Sequence, residues 1–266
     1  KDNINTVGMK TTAGSIALMD NKTEDSFIVQ QLKKNGALIL GKVNLSEWAY
    51  FLCSGCPVGY SAYGGQTLNP YGRRIFETGG SSSGSGVSIA ANYAPVAVGT
   101  ETSGSILSPS SSSSLVGLKP TVGLLSRGGI VPISSTLDTP GPMTKSVIDN
   151  AILLSAMTGE DPKDIATADN PKHVEYWQNL STASLKGMRF GVNKSFLSDS
   201  VYLTNIKNLT SLGAITIVYE PEEIKLNGFS TLLRGDMKLD LTAYLSEYGS
   251  STLSVKNPAD IVAYNI

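Results

Sequence analysis

Gly79-Gly-Ser-Ser-Ser-Gly-Ser-Gly86 and its companion Gly99-Thr-Glu-Thr-Ser-Gly-Ser-Ile106 are the stretches that decide how this chain is interpreted. Glycine lets the backbone adopt positive φ and approach a ligand closely. Consecutive amides in such turns form an anion-binding concavity that suits a tetrahedral oxyanion. Serine hydroxyls lie within the same turns, so the two stretches together predict a site for acyl-transfer chemistry.

The chain contains one histidine, His173, among its 266 residues. A Ser-His-Asp triad, a Cys-His dyad or a His-rich metal site would have to use that residue. Its polar, turn-flanked surroundings favour a solvated surface position instead. A serine can also be activated by a neutral lysine, and burial beside uncharged polar groups lowers a lysine pKa. Serine hydroxyls are suitable neighbours because each one both donates and accepts hydrogen bonds.

Composition excludes several classes of protein. Hydrophobic residues make up 41% and charged residues 16%, which is typical of a packed globular core. The net charge of −1 offers no basic field for nucleic acid or an anionic membrane. No apolar run approaches the roughly 18 residues of a membrane span.

Cys53 and Cys56 form a lone CxxC sequence. This spacing is compatible with a redox pair, half a zinc site, a disulfide or two unrelated residues. The compartment and the oligomeric state stay open.

Hydrophobic periodicity and end signals predict an α/β fold. The expected helices cover residues 24–35, 87–93, 146–157 and 202–212, and the expected strands cover 37–40, 95–99, 188–192 and 214–218. The strand at 188–192, the helix at 202–212 and the strand at 214–218 form a β-α-β unit, in which the two strands are expected to pair in parallel. Residues 53–86 are predicted to form a long loop. The serine run at 103–114 is predicted to be folded in, because apolar segments flank it.

The chain resembles the amidase signature family. The similarity runs from Gly79-Gly-Ser-Ser through Gly99-Thr-Glu-Thr-Ser-Gly-Ser to Gly117-Leu-Lys-Pro-Thr121, and Lys1-Asp-Asn-Ile looks like the family's lysine motif. The resemblance covers residues 1 to about 161. It implies an α/β/α arrangement around a central mixed sheet, in one domain of residues 1–266. Within it, 1–161 form the signature core, and 162–266 form a peripheral segment with a partial β-α-β continuation.

The resemblance also implies a Ser–cis-Ser–Lys triad. By motif position, Ser105 is the nucleophile, Ser81 is the relay serine after a cis peptide bond, and Lys1 is the general base. The backbone amides of Thr102, Ser103, Gly104 and Ser105 match the oxyanion-hole positions. Such a mechanism needs no metal or cofactor. Because relatives are longer, the chain is expected to be truncated at both ends.

Three positions depart from the family pattern. Ser83 and Ser103 stand where glycine is usual, and serine would be strained there if positive φ were needed. Leu107 occupies the position where many members carry an arginine that holds a substrate carboxylate. This favours a neutral or apolar acyl group. Asn44-Leu-Ser-Glu-Trp-Ala49 looks most like the bacterial peptide amidase and aryl acylamidase branch, so the expected substrate is a C-terminal peptide amide or another simple carboxamide.

Two other interpretations are compatible with the sequence. Gly80-Ser-Ser-Ser-Gly84 matches the α/β-hydrolase elbow, with Ser82 as nucleophile and Asp149 or Asp161 before His173. The segment before that elbow is a poor buried strand. The second alternative is a catalytically inactive amidase homologue or fragment that acts as a binding module. A P-loop nucleotide binder is disfavoured because no G-x-x-x-x-G-K-[ST] sequence is present.

Overall fold

A computed structural model describes residues 1–52, 55–170 and 174–265. The chain divides into two compact units, one formed by Lys1–Trp177 with Ser230–Ile266 and the other by Gln178–Phe229. Among the described residues, no helix combines the length and the apolarity that crossing a bilayer would require. The single-domain organisation expected from the sequence stays a prediction.

Both units contain α-helices and strands, and in the second unit they alternate. The helices are α1 (Phe27–Lys34), α2 (Ser83–Ala90), α3 (Leu107–Ser112), α4 (Val147–Met157), α5 (Ser200–Ser211), α6 (Phe229–Glu247) and α7 (Pro258–Tyr264). The strands are β1 (Tyr60–Ser61), β2 (Gly65–Gln66), β3 (Val96–Glu101), β4 (Val116–Gly117), β5 (Thr139–Thr144), β6 (Arg189–Asn193) and β7 (Ile215–Tyr219).

A three-stranded antiparallel sheet in the order β3-β5-β4 carries the 99–106 motif at the end of β3. Its central strand β5 is buried along its whole length, although its sequence includes two prolines. Proline has no amide proton to donate. The carbonyl of Pro142 accepts from the Leu118 amide, so the edge of Pro142 that lacks a donor is directed toward β4 and the hydrogen bonds to β3 are unaffected. Gly141 is required here, because a Cβ at this position would lie 2.2 Å from the Leu118 carbonyl oxygen.

Helices α1 and α4 lie within the predicted helices at 24–35 and 146–157, but α1 begins at Phe27 rather than Glu24 because Ser26 caps it. Each begins at a serine cap: Ser26 accepts from the Val29 amide, and Ser146 accepts from the Asp149 amide. The two helices bury their apolar faces in one core cluster with a neighbouring loop, and its members include Ile28, Leu125, Leu153 and Met157. This packing supports β3 from one side, since Val96 and Val98 contact the same cluster.

Two predicted elements need correction, and a third prediction is confirmed. Residues 37–40 form no strand, because no described segment pairs with them, and their apolar character alone cannot supply a partner. Helix α2 covers Ser83–Ala90 rather than 87–93, so it begins inside the segment that was predicted to be a loop. The serine run is folded as predicted, and its first part forms α3.

The second unit contains β6, α5 and β7, and its two strands pair in parallel. This confirms the predicted β-α-β order. Asp199 caps the start of α5 by accepting from the Tyr202 amide, and Gly213 follows the helix with a φ of 88°. Antiparallel pairing in the first unit and parallel pairing in the second agree with the predicted α/β class with mixed sheets.

Candidate active site

Lys1 lies with its ammonium group among hydroxyl and carbonyl oxygens. Its Nζ is 2.9 Å from Ser81 Oγ, 2.7 Å from Thr100 Oγ1 and 3.1 Å from the Thr100 carbonyl oxygen. Only 7% of the residue is exposed. Burial lowers the pKa of the Lys1 side chain to about 7, although the carboxylates of Asp138 and Glu101 act in the opposite direction. A substantial neutral fraction is therefore present near pH 7.

The backbone next to Lys1 is held from two sides. The Asp2 amide donates to the Val43 carbonyl at 3.0 Å. The Asp2 carboxylate forms an ion pair with Lys42, with 3.0 Å between Oδ1 and Nζ, and also accepts from the Thr12 side chain. These contacts fix the direction in which the Lys1 side chain leaves the backbone.

Ser81 is fully buried and follows a cis peptide bond from Gly80. Its carbonyl accepts from the Ser46 amide at 3.0 Å. Gly79 precedes it with a φ of 64°, and a Cβ at this position would lie 2.6 Å from the Pro109 nitrogen. The glycine is therefore needed both for its conformation and for the close approach of α3.

Ser105 lies on a turn that wraps around one buried carboxylate. Glu101, the last residue of β3, accepts from the amides of Gly104 at 2.8 Å, Ile106 at 2.7 Å and Leu107 at 3.0 Å. Ser105 itself is half-buried, and its hydroxyl forms no hydrogen bond with any described residue. This geometry leaves the Ser105 hydroxyl available for a ligand.

The four amides expected to form an oxyanion hole are not equivalent. Among the described residues, those of Thr102, Ser103 and Ser105 have no backbone carbonyl acceptor. The Gly104 amide is directed at Glu101, so it can join the others only by sharing its proton. Gly104 has a φ of 83°, whereas Ser83 and Ser103 are not among the residues with positive φ. Serine at these two positions is therefore not strained in this way.

Ser82, the nucleophile of the α/β-hydrolase interpretation, has a different role. Its hydroxyl is buried, accepts from the Thr100 amide at 3.1 Å and donates to the Thr100 carbonyl at 3.0 Å. Its own amide donates to the Ser105 carbonyl at 3.1 Å. Ser82 therefore joins the two serine motifs structurally. His173, which that interpretation also requires, lies outside the described residues.

Of the two cysteines of the CxxC sequence, Cys53 lies outside the described residues and Cys56 is disulfide-bonded.

A cavity of about 340 Å³ opens onto Ser105 and the amides beside it. Its apolar lining comes from Ala49, Tyr50, Phe51, Val58, Ile133 and Leu233. No lysine, arginine or histidine is among the described residues that line it, and Glu77 is the one charged residue of that lining. The described residues also contain no group of His, Cys, Asp or Glu side chains that could hold a metal ion. The cavity suits a neutral, partly apolar ligand.

One wall of this cavity is a strained turn that the sequence did not predict. Trp48, Ala49 and Tyr50 have φ values of 51°, 54° and 70°, although none of them is glycine. The Trp48 amide donates to the Ala13 carbonyl at 2.8 Å, and its side chain is buried in a core cluster. Such strain persists where the surrounding structure fixes it, and it is common at functional sites. No local sequence signal marks this turn, because left-handed runs normally contain Gly, Asn or Asp.

Thr100 and Asp138 are the other site residues that sequence reasoning missed. Thr100 provides two of the three contacts of Lys1 Nζ, and it lies inside the recognised motif as an ordinary strand residue. Asp138 accepts from the Thr102 hydroxyl and from the amides of Ile133 and Ser134. Neither role could be inferred from spacing, because both depend on long-range contacts.

A sequence model of the family described as Amidase matches residues 1–227. This chain belongs to the amidase signature family. It is 43% identical to a probable amidase of Arabidopsis thaliana, over all of this chain and 53% of that protein.

Solved structures of the family agree with the fold of this chain. An amidase family protein from Bacillus anthracis is 41% identical with a TM-score of 0.93, over all of this chain and 54% of that one. The native peptide amidase of Stenotrophomonas maltophilia is 42% identical with a TM-score of 0.90, over all of this chain and 55% of that one. The chain thus spans about half the length of the amidases that it matches.

Replacing Glu101 should destabilise the fold. Glu101→Ala leaves three backbone amides around Ser105 without their acceptor, and we expect the free energy of unfolding to fall by about 3 kcal/mol. Urea denaturation measures this change. The control is Glu160→Ala at an exposed position, for which we expect a change within about 0.5 kcal/mol. A loss below about 1 kcal/mol in Glu101→Ala would mean that the three amides find other acceptors.

Proposed function

We propose that this amidase-family protein hydrolyses the C–N bond of carboxamides through Ser105, Ser81 and Lys1. The observation that carries the proposal is the buried contact of 2.9 Å between Lys1 Nζ and Ser81 Oγ. A lysine whose pKa is lowered to about 7 can accept a proton near neutral pH, as a general base must. Membership of the amidase family supports the same chemistry.

The reaction begins with two linked proton transfers. Neutral Lys1 takes the hydroxyl proton of Ser81, while Ser81 takes the proton of Ser105. The Ser105 oxygen forms a bond to the amide carbon, and the carbonyl oxygen gains negative charge. Unpaired amides at Thr102, Ser103 and Ser105 are placed to stabilise that charge. Ser105 Oγ forms no hydrogen bond with a described residue, so we expect its contact with Ser81 Oγ to form when substrate binds, since catalytic hydrogen bonds often tighten only then.

The second half of the reaction returns the protons. The C–N bond breaks, and the leaving nitrogen receives a proton from Ser81, which is replenished from the Lys1 ammonium. The products at this point are an amine or ammonia and an ester on Ser105. Water then attacks the ester carbon and loses a proton along the same relay, which releases the carboxylic acid and restores the Ser105 hydroxyl.

The substrate class follows from the charge of the cavity. Its described lining holds no cation that could pair with a substrate carboxylate. Leu107 is exposed and lies outside that lining, next to Ser108, which belongs to it. We therefore infer a neutral acyl group with an apolar side chain, as in a peptide that ends in a carboxamide. Similarity to the Stenotrophomonas maltophilia peptide amidase supports this substrate class.

The function is tested by two measurements on the same protein. Ammonia release from neutral peptide amides tests turnover, and intact mass spectrometry after treatment with phenylmethylsulfonyl fluoride tests for an activated serine. Turnover together with a single covalent adduct is the expected result. Folded protein that shows neither would overturn the proposal and favour an inactive homologue that acts as a binding module.

Changing position 107 tests whether the acyl group of the substrate binds next to this residue. We expect Leu107→Arg to raise kcat/KM about tenfold for an amide whose acyl group carries a carboxylate, relative to its neutral isostere, because a guanidinium pairs with carboxylate. The matched control is Leu107→Met, which should leave that ratio unchanged. The ratio is measured with the two substrates in competition. An unchanged ratio in Leu107→Arg would place the acyl group elsewhere.

A further inference from the structure

Asp138 connects two segments that both reach the cavity beside Ser105. One carboxylate oxygen accepts from the Thr102 hydroxyl. The other accepts from the amides of Ile133 at 2.7 Å and Ser134 at 2.9 Å. Thr102 and Ile133 line the cavity of about 340 Å³, whereas Asp138 does not. Asp138 therefore contacts two walls of that cavity without lining it, and it lines a neighbouring cavity of about 180 Å³ together with Thr100 and Thr102.

We propose that Asp138 is a positioning residue, which holds Thr102 and the oxyanion segment against the turn at Ile133 and Ser134. This role rests on the proposed function, because it assumes that the amides following Glu101 stabilise an oxyanion. Its hydrogen bonds reach the oxyanion segment through Thr102, and its carboxylate separately acts on the pKa of Lys1, so the pH–rate profile of Asp138→Asn distinguishes the two effects.

The need for such an anchor follows from the local backbone. Beyond the end of β3, the segment from Thr102 to Gly104 has no strand partner. Glu101 fixes the amides of Gly104, Ile106 and Leu107, but not that of Thr102. The hydrogen bond from the Thr102 side chain to Asp138 is then the described contact that limits rotation of the Thr102 peptide group. An oxyanion donor must be aimed to within a few tenths of an ångström, so this contact affects catalysis.

The position of Asp138 is itself strongly fixed. Three donors converge on its carboxylate, and the residue immediately precedes the fully buried strand β5. Partial burial raises the pKa of the Asp138 carboxyl, while the three hydrogen bonds favour its charged form. Asp236 offers a comparison: its carboxylate accepts from the Ser134 hydroxyl, but no hydrogen bond joins it to Thr102 among the described residues.

The role is tested with a double-mutant cycle. We expect Asp138→Asn and Thr102→Val each to lower kcat about 30-fold or more, with KM changed less than about threefold, because ground-state binding does not use the oxyanion contact. The double variant should lose no more than the worse single variant, since both remove one interaction. Asp236→Asn, the control, should keep kcat within about twofold. Additive losses, or unchanged kcat in Asp138→Asn, would overturn the assignment.

Hydrogen exchange gives a second readout that needs no turnover. Amide exchange in residues 102–107 and in 133–135 should both accelerate in Asp138→Asn, while Asp236→Asn should affect only 133–135. Thr102→Val, which keeps the Asp138 carboxylate, should accelerate exchange in 102–107 alone. If the wild type proves inactive, the proposed function is wrong, and exchange still decides whether Asp138 holds the segment. Unchanged exchange at 102–107 in both variants would refute the anchor.

Discussion

Ser105→Ala is expected to lower kcat/KM for a neutral peptide amide by about 10⁴-fold or more, because the variant has no oxygen that can form the acyl-enzyme. The covalent adduct with phenylmethylsulfonyl fluoride should also disappear from the intact mass. Ammonia release under identical conditions measures the loss. Residual activity over the uncatalysed reaction is expected from the remaining amides of the oxyanion segment.

The matched control for this variant is Ser111→Ala. Ser111 belongs to the same serine run, lies in α3 and is exposed, so its replacement should leave kcat/KM within about twofold. A Ser105→Ala variant that kept more than about a tenth of wild-type activity would show that another group is the nucleophile. An adduct that persisted in this variant would lead to the same conclusion.

Lys1→Met is expected to lower kcat/KM by about 10³-fold, because methionine has a similar length but cannot accept the proton of Ser81. In the wild type, kcat/KM should fall about tenfold for each pH unit below about 7, where the Lys1 side chain becomes protonated. The pH–rate profile of both proteins measures this effect. The control is Lys34→Met, at an exposed position in the last turn of α1, which should keep the wild-type profile.

The lowered pKa of Lys1 should also make the free energy of unfolding depend on pH. Its pKa is about 7 in the folded protein and 10.5 in the unfolded reference, so the unfolded chain binds more protons between these values. Burying the charged Lys1 ammonium lowers the free energy of unfolding, and this destabilisation is fully present below pH about 7. The free energy of unfolding therefore rises with pH between about 7 and 10.5, because the buried side chain has lost its proton. The unfolding free energy of the wild type, relative to that of Lys1→Met, should therefore rise between pH about 7 and 10.5. A difference independent of pH, with no acidic limb in activity, would contradict a neutral Lys1.

Local sequence signals were sufficient for the elements that carry their own caps and periodicity. Helix α1 was predicted from its apolar face and the lysines of its last turn, and the β6-α5-β7 unit from its alternation of strand and helix. Strand β5 was not predicted, because Thr-Pro-Gly-Pro-Met-Thr contains two prolines and a glycine, which are typical of loops. It is a strand because its neighbours leave space for it: Leu118 approaches Gly141, and β3 provides a ladder that the prolines do not interrupt.

The sequence by itself determined the family resemblance and the three residues proposed for catalysis, because motif order and residue type are properties of the chain. Only the tertiary structure decided the environment of those residues. Lys1 meets Ser81 and Thr100, which are 80 and 99 positions away, and its lowered pKa comes from burial that those distant segments produce. Asp138 reaches Thr102 across 36 positions for the same reason. Desolvation and hydrogen-bond partners depend on which segments pack together, and local sequence patterns do not specify that packing.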